Sequence, residues 1–153
     1  MLLLRVAKAM DGARVPYALV GGHAVALHGA VRGTIDIDLV IRRMEGDFLK
    51  AERALKSLGL DPRLPVTASE VFRFREEYIR NRNLTAWSFV NPSRPSELVD
   101  VILTEDLSHL TVKRIKVQGQ TVRLASIEDL VRMKRASGRP QDLADVEALR
   151  RLR

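Results

Sequence analysis

The sequence predicts an α/β (α+β) fold, a mixed β-sheet with flanking helices. Three observations predict it. Apolar residues recur at helical spacing near both ends of the chain, short Val/Ile/Leu-rich runs interleave with helical ones early, and strand-like runs cluster as hairpins in the middle. That order leads us to expect the helices on one side of the sheet.

Residues 2–11 carry apolar Leu3, Val6, Ala7 and Met10, the stripe of an amphipathic helix. Residues 15–20 read as a strand, with Pro16 tolerable near its start. Gly21 and Gly22 break it, and a short helix runs to Leu27 or His28, closed by Gly29. Residues 35–41, rich in Ile and Val, predict a second strand. Asp47 is expected to cap a third helix with the stripe Phe48, Leu55 and Leu58, ending at Gly59 with Asp61-Pro62 as the stop. Residues 61–69 read as a loop. Strands are expected at 71–74, 84–90 and 98–103, the last two joined across "NPSRPS" as a hairpin with a long loop. Residues 115–117 and 121–124 predict a shorter hairpin around Gly119. Ser126 caps the first of two C-terminal helices, with Glu128 and Asp129 in its first turn and Gly138 at its end. Pro140 opens the second, with Gln141 and Asp142 in its first turn. The chain reads as a single domain over 1–153, with the helical pair 126–152 packed on it.

With 153 residues, 46% hydrophobic and 29% charged, the chain can build one sizeable core. It has no cysteine, which excludes disulfides, zinc–thiolate sites and a cysteine nucleophile. The opening "MLLLRVAKAM" has an apolar run too short for a signal peptide, and no segment has the length of a membrane span. A cytoplasmic protein with no membrane attachment is expected. The net charge of +7 and pI of about 10.4 favour polyanionic partners such as nucleotides or RNA.

The stretch "YALVGGHAVALHGAVRGTIDIDLVI" carries the chemistry. Asp36 and Asp38 sit at i and i+2 of a strand and therefore share a face. Both interrupt an otherwise apolar run, although Asp is a poor strand former. A third, Asp100, interrupts the apolar "ELVDVIL". If these two strands are neighbours, three carboxylates converge. An all-oxygen set of this kind suits Mg²⁺ or Mn²⁺, and two such ions can clamp the attacking and leaving oxygens of a phosphoryl displacement. The Gly21-Gly22 pair between strand and helix leaves backbone N–H groups unshielded by side chains, a cradle for phosphate oxygens.

Gly-Gly, a short helix, Asp-x-Asp and a later Asp together resemble the nucleotidyltransferase superfamily that includes DNA polymerase β. More narrowly, "GGHAVALHGAVRGTIDIDLVI" resembles the minimal nucleotidyltransferases of the AbiEii-like toxin group, and "SIEDLVRMKRASGRPQDLADVEAL" is similar to the tail of that group's relatives. The resemblance implies a mixed-sheet nucleotidyltransferase fold and metal-dependent transfer of NMP from an NTP such as ATP to a hydroxyl acceptor. The acceptor would be RNA, tRNA or protein, and the resemblance also implies a toxin–antitoxin setting with a cognate antitoxin or partner protein. A small-molecule, antibiotic-type acceptor and a non-catalytic nucleotide- or partner-binding domain are the alternatives.

Carried over residue by residue, the resemblance makes Asp36, Asp38 and Asp100 the metal ligands, with Asp100 also taking the hydroxyl proton. Gly21 and Gly22 would contact the triphosphate. His23 stands where the superfamily has serine, so a hydroxyl donor to phosphate is missing. Arg32 and Thr34 match the basic and hydroxyl positions before the Asp pair, and Lys134 matches a basic position in the tail that neutralises phosphate charge. Other residues have plainer readings. His23 and His28, five apart, do not align on a helix face and suit local hydrogen bonding rather than a shared metal. Trp87 and Phe89 share a strand face and read as core. Asp142 complements its helix dipole, and Asp145 is expected to pair with Arg139 or Arg150.

Overall fold

The computed structural model describes residues 1–30 and 36–152. In chain order its elements are α1 (Leu2–Gly12), β1 (Tyr17–Val20), α2 (Gly21–Leu27), β2 (Ile37–Ile41), α3 (Glu45–Lys56), β3 (Asp61–Pro62), α4 (Ala68–Arg73), α5 (Arg75–Arg82), β4 (Ala86–Asn91), β5 (Arg94–Ile102), β6 (Val112–Val117), β7 (Gln120–Ala125), α6 (Ile127–Ser137) and α7 (Pro140–Arg150). The strands form one seven-stranded sheet in the order β3-β4-β5-β2-β1-β7-β6. It is mixed: β2 runs parallel to β5 and β1 parallel to β7, and the other neighbours are antiparallel.

Strand register sorts the side chains between two faces, because directly paired residues point the same way. Trp87 pairs with Val101 and Phe89 with Val99, and these belong to an apolar face. Phe48 of α3 stacks on Trp87 at 5.7 Å, so α3 covers that face. Ser88 pairs with Asp100, Asp100 with Asp38, and Asp38 with Val20, so these occupy the opposite face. All four residues of β1 are buried, as in a strand covered on both sides. Helices therefore flank both faces rather than the one side expected. Ala18 and Val20 of β1 and Ala24 of α2 are all buried, and α2 packs against β1 and β2.

Four further expectations are corrected. Asp47 does not cap α3: Met44 holds that position, and Asp47 is buried in the first turn, accepting bonds from Arg42 Nε (2.7 Å) and Nη2 (3.0 Å). Residues 71–73 belong to helix α4 and Phe74 to the turn before α5, so no strand forms there. A capping box, with Glu70 N–H donating to Thr67 Oγ1 and Thr67 N–H donating to Glu70 Oε1, both 3.2 Å, starts α4 just ahead of them. Asp61-Pro62 pairs with β4 as an edge strand, where proline is tolerated. The β4–β5 connection is tight, with Asn91 paired to Arg94 across Pro92-Ser93, and Asn91 Oδ1 accepting from Ser93 N–H at 2.9 Å. The C-terminal caps are as expected: Ser126 Oγ accepts from Asp129 N–H, and Gly138 closes α6 in the left-handed region.

Candidate active site

Asp38 on β2 lies directly opposite Asp100 on the parallel neighbour β5. Asp36 stands two residues earlier, just before the strand begins, and is exposed. All three line one cleft of about 700 Å³, together with Gly21, Lys134 and Arg139. The structure thus brings together Asp36, Asp38, Asp100, Gly21, Gly22 and Lys134 of the residues singled out from sequence. Arg32 and Thr34 lie outside the described residues.

The electrostatics of the cleft is dominated by its carboxylates. Burial, then the charge of Asp100, then that of Asp36, push the Asp38 carboxyl up to about 7, against the pull of Lys134 and Arg139. Asp100 is also raised, by burial first and by Asp36 next, while a bond from Ser88 Oγ to Asp100 Oδ1 at 2.5 Å works the other way. The donor set is all oxygen, and its ionisation is opposed by its own repulsion. That is the condition a hard divalent cation relieves, so the residues fit Mg²⁺ or Mn²⁺ in chemistry. Asp38 and Asp100 are already opposed. Among the described residues, no three His, Cys, Asp or Glu side chains stand gathered at metal-holding distances.

Gly21 meets the same carboxylate. Its φ is +69°, in the region that disfavours side chains, and a Cβ there would overlap the Asp38 carboxylate. The Gly21 backbone and the Asp38 side chain are therefore in mutual contact at the cleft floor. Gly22 is buried in the first turn of α2.

Lys134 is only 8% exposed, and its ammonium is held between two carboxylates of α7, 3.3 Å from Asp142 Oδ1 and 3.1 Å from Asp145 Oδ2. Asp145 thus pairs with Lys134, in place of the expected Arg139 or Arg150. Asp142 also takes Arg139 Nε at 2.7 Å. The α6–α7 corner is a charge cluster that aims two cations at Asp38. Sequence reasoning missed Arg139, Ser88 and the clamp on Lys134. The spacing Lys134-x7-Asp142-x2-Asp145 around Gly138-Arg139-Pro140 was visible, but only the helix–helix turn brings the three together.

His28 Nε2 donates to the Ala125 carbonyl at 2.8 Å, a bond between segments far apart in the chain rather than the local one expected. The buried His23 Nε2 has no partner among the described residues, and His23 does not line the cleft. Trp87 and Phe89 are core residues, 2% and 0% exposed.

A mixed sheet with aspartates opposed on parallel neighbours, beside a Gly-Gly turn, defines a nucleotidyltransferase fold, and solved structures agree. The chain is similar to the crystal structure of an antigenic nucleotidyltransferase-like protein from Paracoccidioides brasiliensis (TM-score 0.59, 21% identity, covering 96% of this chain and 72% of that one). It is also similar to the solution structure of the antibiotic-resistance factor ANT(2'')-Ia (TM-score 0.63, 17% identity, 99% and 80%). A third is the crystal structure of ANT(2'')-Ia in complex with adenylyl-2''-tobramycin (TM-score 0.60, 15% identity, 95% and 83%). No protein-family model and no curated protein matches the sequence. Among the described residues, no helix is long and apolar enough to cross a membrane.

Proposed function

We propose that this protein is a metal-dependent nucleotidyltransferase that moves a nucleoside monophosphate from a nucleoside triphosphate to a hydroxyl group. The observation that carries this reading is the opposition of Asp38 and Asp100 across β2 and β5, against Gly21, in a cleft supplied with cations by α6 and α7. Asp36, Asp38 and Asp100 would hold Mg²⁺ or Mn²⁺, which supplies positive charge to the phosphate oxygens when bound. Asp100 is the base: it takes the acceptor proton as that oxygen attacks the α-phosphorus, and the bond to the bridging oxygen breaks, releasing pyrophosphate. Its raised proton affinity suits that role, and the Ser88 bond fixes its orientation. The Gly21-Gly22 backbone lets the triphosphate approach closely, and Arg139 and Lys134 offset its charge.

A macromolecular acceptor, RNA or protein, is supported by the net charge of +7 and by the exposed Lys113, Arg114 and Lys116 of β6. A toxin–antitoxin setting with a cognate partner rests on the motif resemblance of residues 17–41. A small hydroxylated acceptor is favoured by the tobramycin adduct bound to a structural neighbour.

The test is to incubate the protein with each α-labelled nucleoside triphosphate, Mg²⁺ and either total bacterial RNA, total protein or small hydroxylated compounds. Label transferred by wild type and lost in Asp36→Asn is expected. No pyrophosphate release with any acceptor would overturn the reading.

A further inference from the structure

Beside the catalytic cleft lies a second hollow of about 410 Å³. It exists because β3 is so short. Pairing with β4 ends at Pro62↔Phe89, a last bond runs from Arg63 N–H to the Ser88 carbonyl (2.9 Å), and Ala86 and Trp87 then have no β3 partner. The wall comprises Arg63, the apolar Leu64, Val66 and Leu84, and the Ala86–Ser88 stretch of β4. Ala86 also lines the catalytic cleft, so the two spaces adjoin. Ser88 links them chemically, since its hydroxyl donates to Asp100, the proposed base.

The two spaces differ in charge. The cleft is lined by five carboxylates, Asp36, Asp38, Asp100, Glu105 and Asp142, against two cations, Lys134 and Arg139. The hollow has no carboxylate in its wall and one cation, Arg63, which is exposed. Arg63 forms no ion pair among the described residues. Its backbone is pinned to Ser88, so the guanidinium stem is anchored one strand from Asp100. The wall also includes Trp87, whose buried indole N–H has no partner among the described residues.

We propose that this hollow is the acceptor subsite, and that Arg63 selects an acceptor whose reactive hydroxyl adjoins a phosphate group. This rests on the transfer reaction proposed above. The apolar wall receives the body of the acceptor, Arg63 takes its phosphate, and the hydroxyl is presented toward Asp100. A phosphate offers guanidinium two parallel charge-assisted bonds, whereas a polyamine such as tobramycin brings like charge to Arg63. The acceptor thus differs in charge from the one bound to the structural neighbour. An RNA end and a free sugar phosphate share the required chemistry.

The experiment titrates the full chain with four probes: a 5′-labelled ribotrinucleotide with a free 3′-hydroxyl, glucose 1-phosphate, tobramycin, and a non-hydrolysable triphosphate with Mg²⁺. Arg63→Glu should weaken the phosphate-bearing acceptor by at least about tenfold, and Arg63→Lys by less, because charge survives without the fork. Triphosphate affinity should fall far less than acceptor affinity in both, as expected for a neighbouring but separate site. Response of the trinucleotide alone identifies an RNA end, and response of glucose 1-phosphate alone a free sugar phosphate; either supports the subsite. Equal binding of both phosphate probes by wild type and Arg63→Glu, or tighter binding of tobramycin than of either, overturns it. If wild type binds the triphosphate but neither phosphate probe, the subsite falls and the transfer reaction stands. If wild type does not bind the triphosphate, the transfer reaction falls as well.

Discussion

Replacing Asp38 with asparagine should stabilise the metal-free protein most at pH 8 and by less than half as much at pH 5. The side chain keeps its shape and loses only its ability to ionise. In the folded protein the Asp38 carboxyl is raised from 3.8 to about 7, chiefly by burial and then by Asp100. A carboxyl raised on folding contributes stability that is fully present below about pH 4 and is lost as the pH climbs through about 7. At about 1.4 kcal/mol per pH unit, that displacement sets a ceiling of about 4 kcal/mol. The Coulomb route gives a similar size: two carboxylates about 5 Å apart on neighbouring strands repel by about 3 kcal/mol at an effective dielectric of 20. Partial solvation of Asp38 lowers the realised gain to about 1–3 kcal/mol, or a rise in Tm of several degrees. The assay is urea denaturation of both proteins in EDTA at pH 5 and pH 8. Comparing the two proteins isolates Asp38 from every other titrating group. An identical loss of stability between pH 5 and pH 8 in both would refute the reasoning. With Mg²⁺ and a triphosphate present the ranking should invert, because the ligand-induced rise in Tm belongs to wild type alone.

Three other expectations follow from the same geometry. Gly21→Ala should destabilise the fold by about 1–3 kcal/mol, through its positive φ and the clash with Asp38; part of that loss should return in Gly21→Ala/Asp38→Ala, measured by chemical denaturation. Lys134→Met takes the ammonium from between two carboxylates that are 1% and 3% exposed, and should cost about 3 kcal/mol by chemical denaturation. Ser88→Ala removes the bond that favours ionised Asp100, so the acidic limb of the pH–rate profile should move to higher pH; an unmoved limb would mean Asp100 is not the base.

Elements with strong local signals were legible in the chain itself. The stripe Leu3, Val6, Ala7, Met10 specifies α1, and Ser126 with Gly138 brackets α6, because capping and amphipathicity are written in nearby residues. The helix α4 was misread because its apolar residues Val71 and Phe72 are too few to show a period, although the Thr67/Glu70 box preceding it was in plain sight. Helix α5, "REEYIRNR", was missed because it buries only Arg75, whose Nε donates to the Leu103 carbonyl at 2.6 Å. Only Tyr78 and Ile79 of this helix also pack, half-buried, against the core, too few for an apolar stripe to betray it.

At the site the division is similar. Local chemistry alone marked Asp36, Asp38, Asp100 and the Gly21-Gly22 turn, since carboxylates and paired glycines within apolar strands are costly unless used. Strand neighbours and register were decided only by the tertiary structure: a one-residue slip of β5 against β2 would send Asp100 to the face of Trp87, away from Asp38. The same holds for Lys134. In the sequence it is one basic residue in a basic run. In the fold, the turn at Gly138 brings α7 back, and Asp142 and Asp145 close on its ammonium. Sequence determines which groups are present and which local segments form, because caps, periods and glycines act over a few residues. Which charges face one another depends on packing between segments far apart in the chain, where energy comes from burial and pairing that no local pattern encodes.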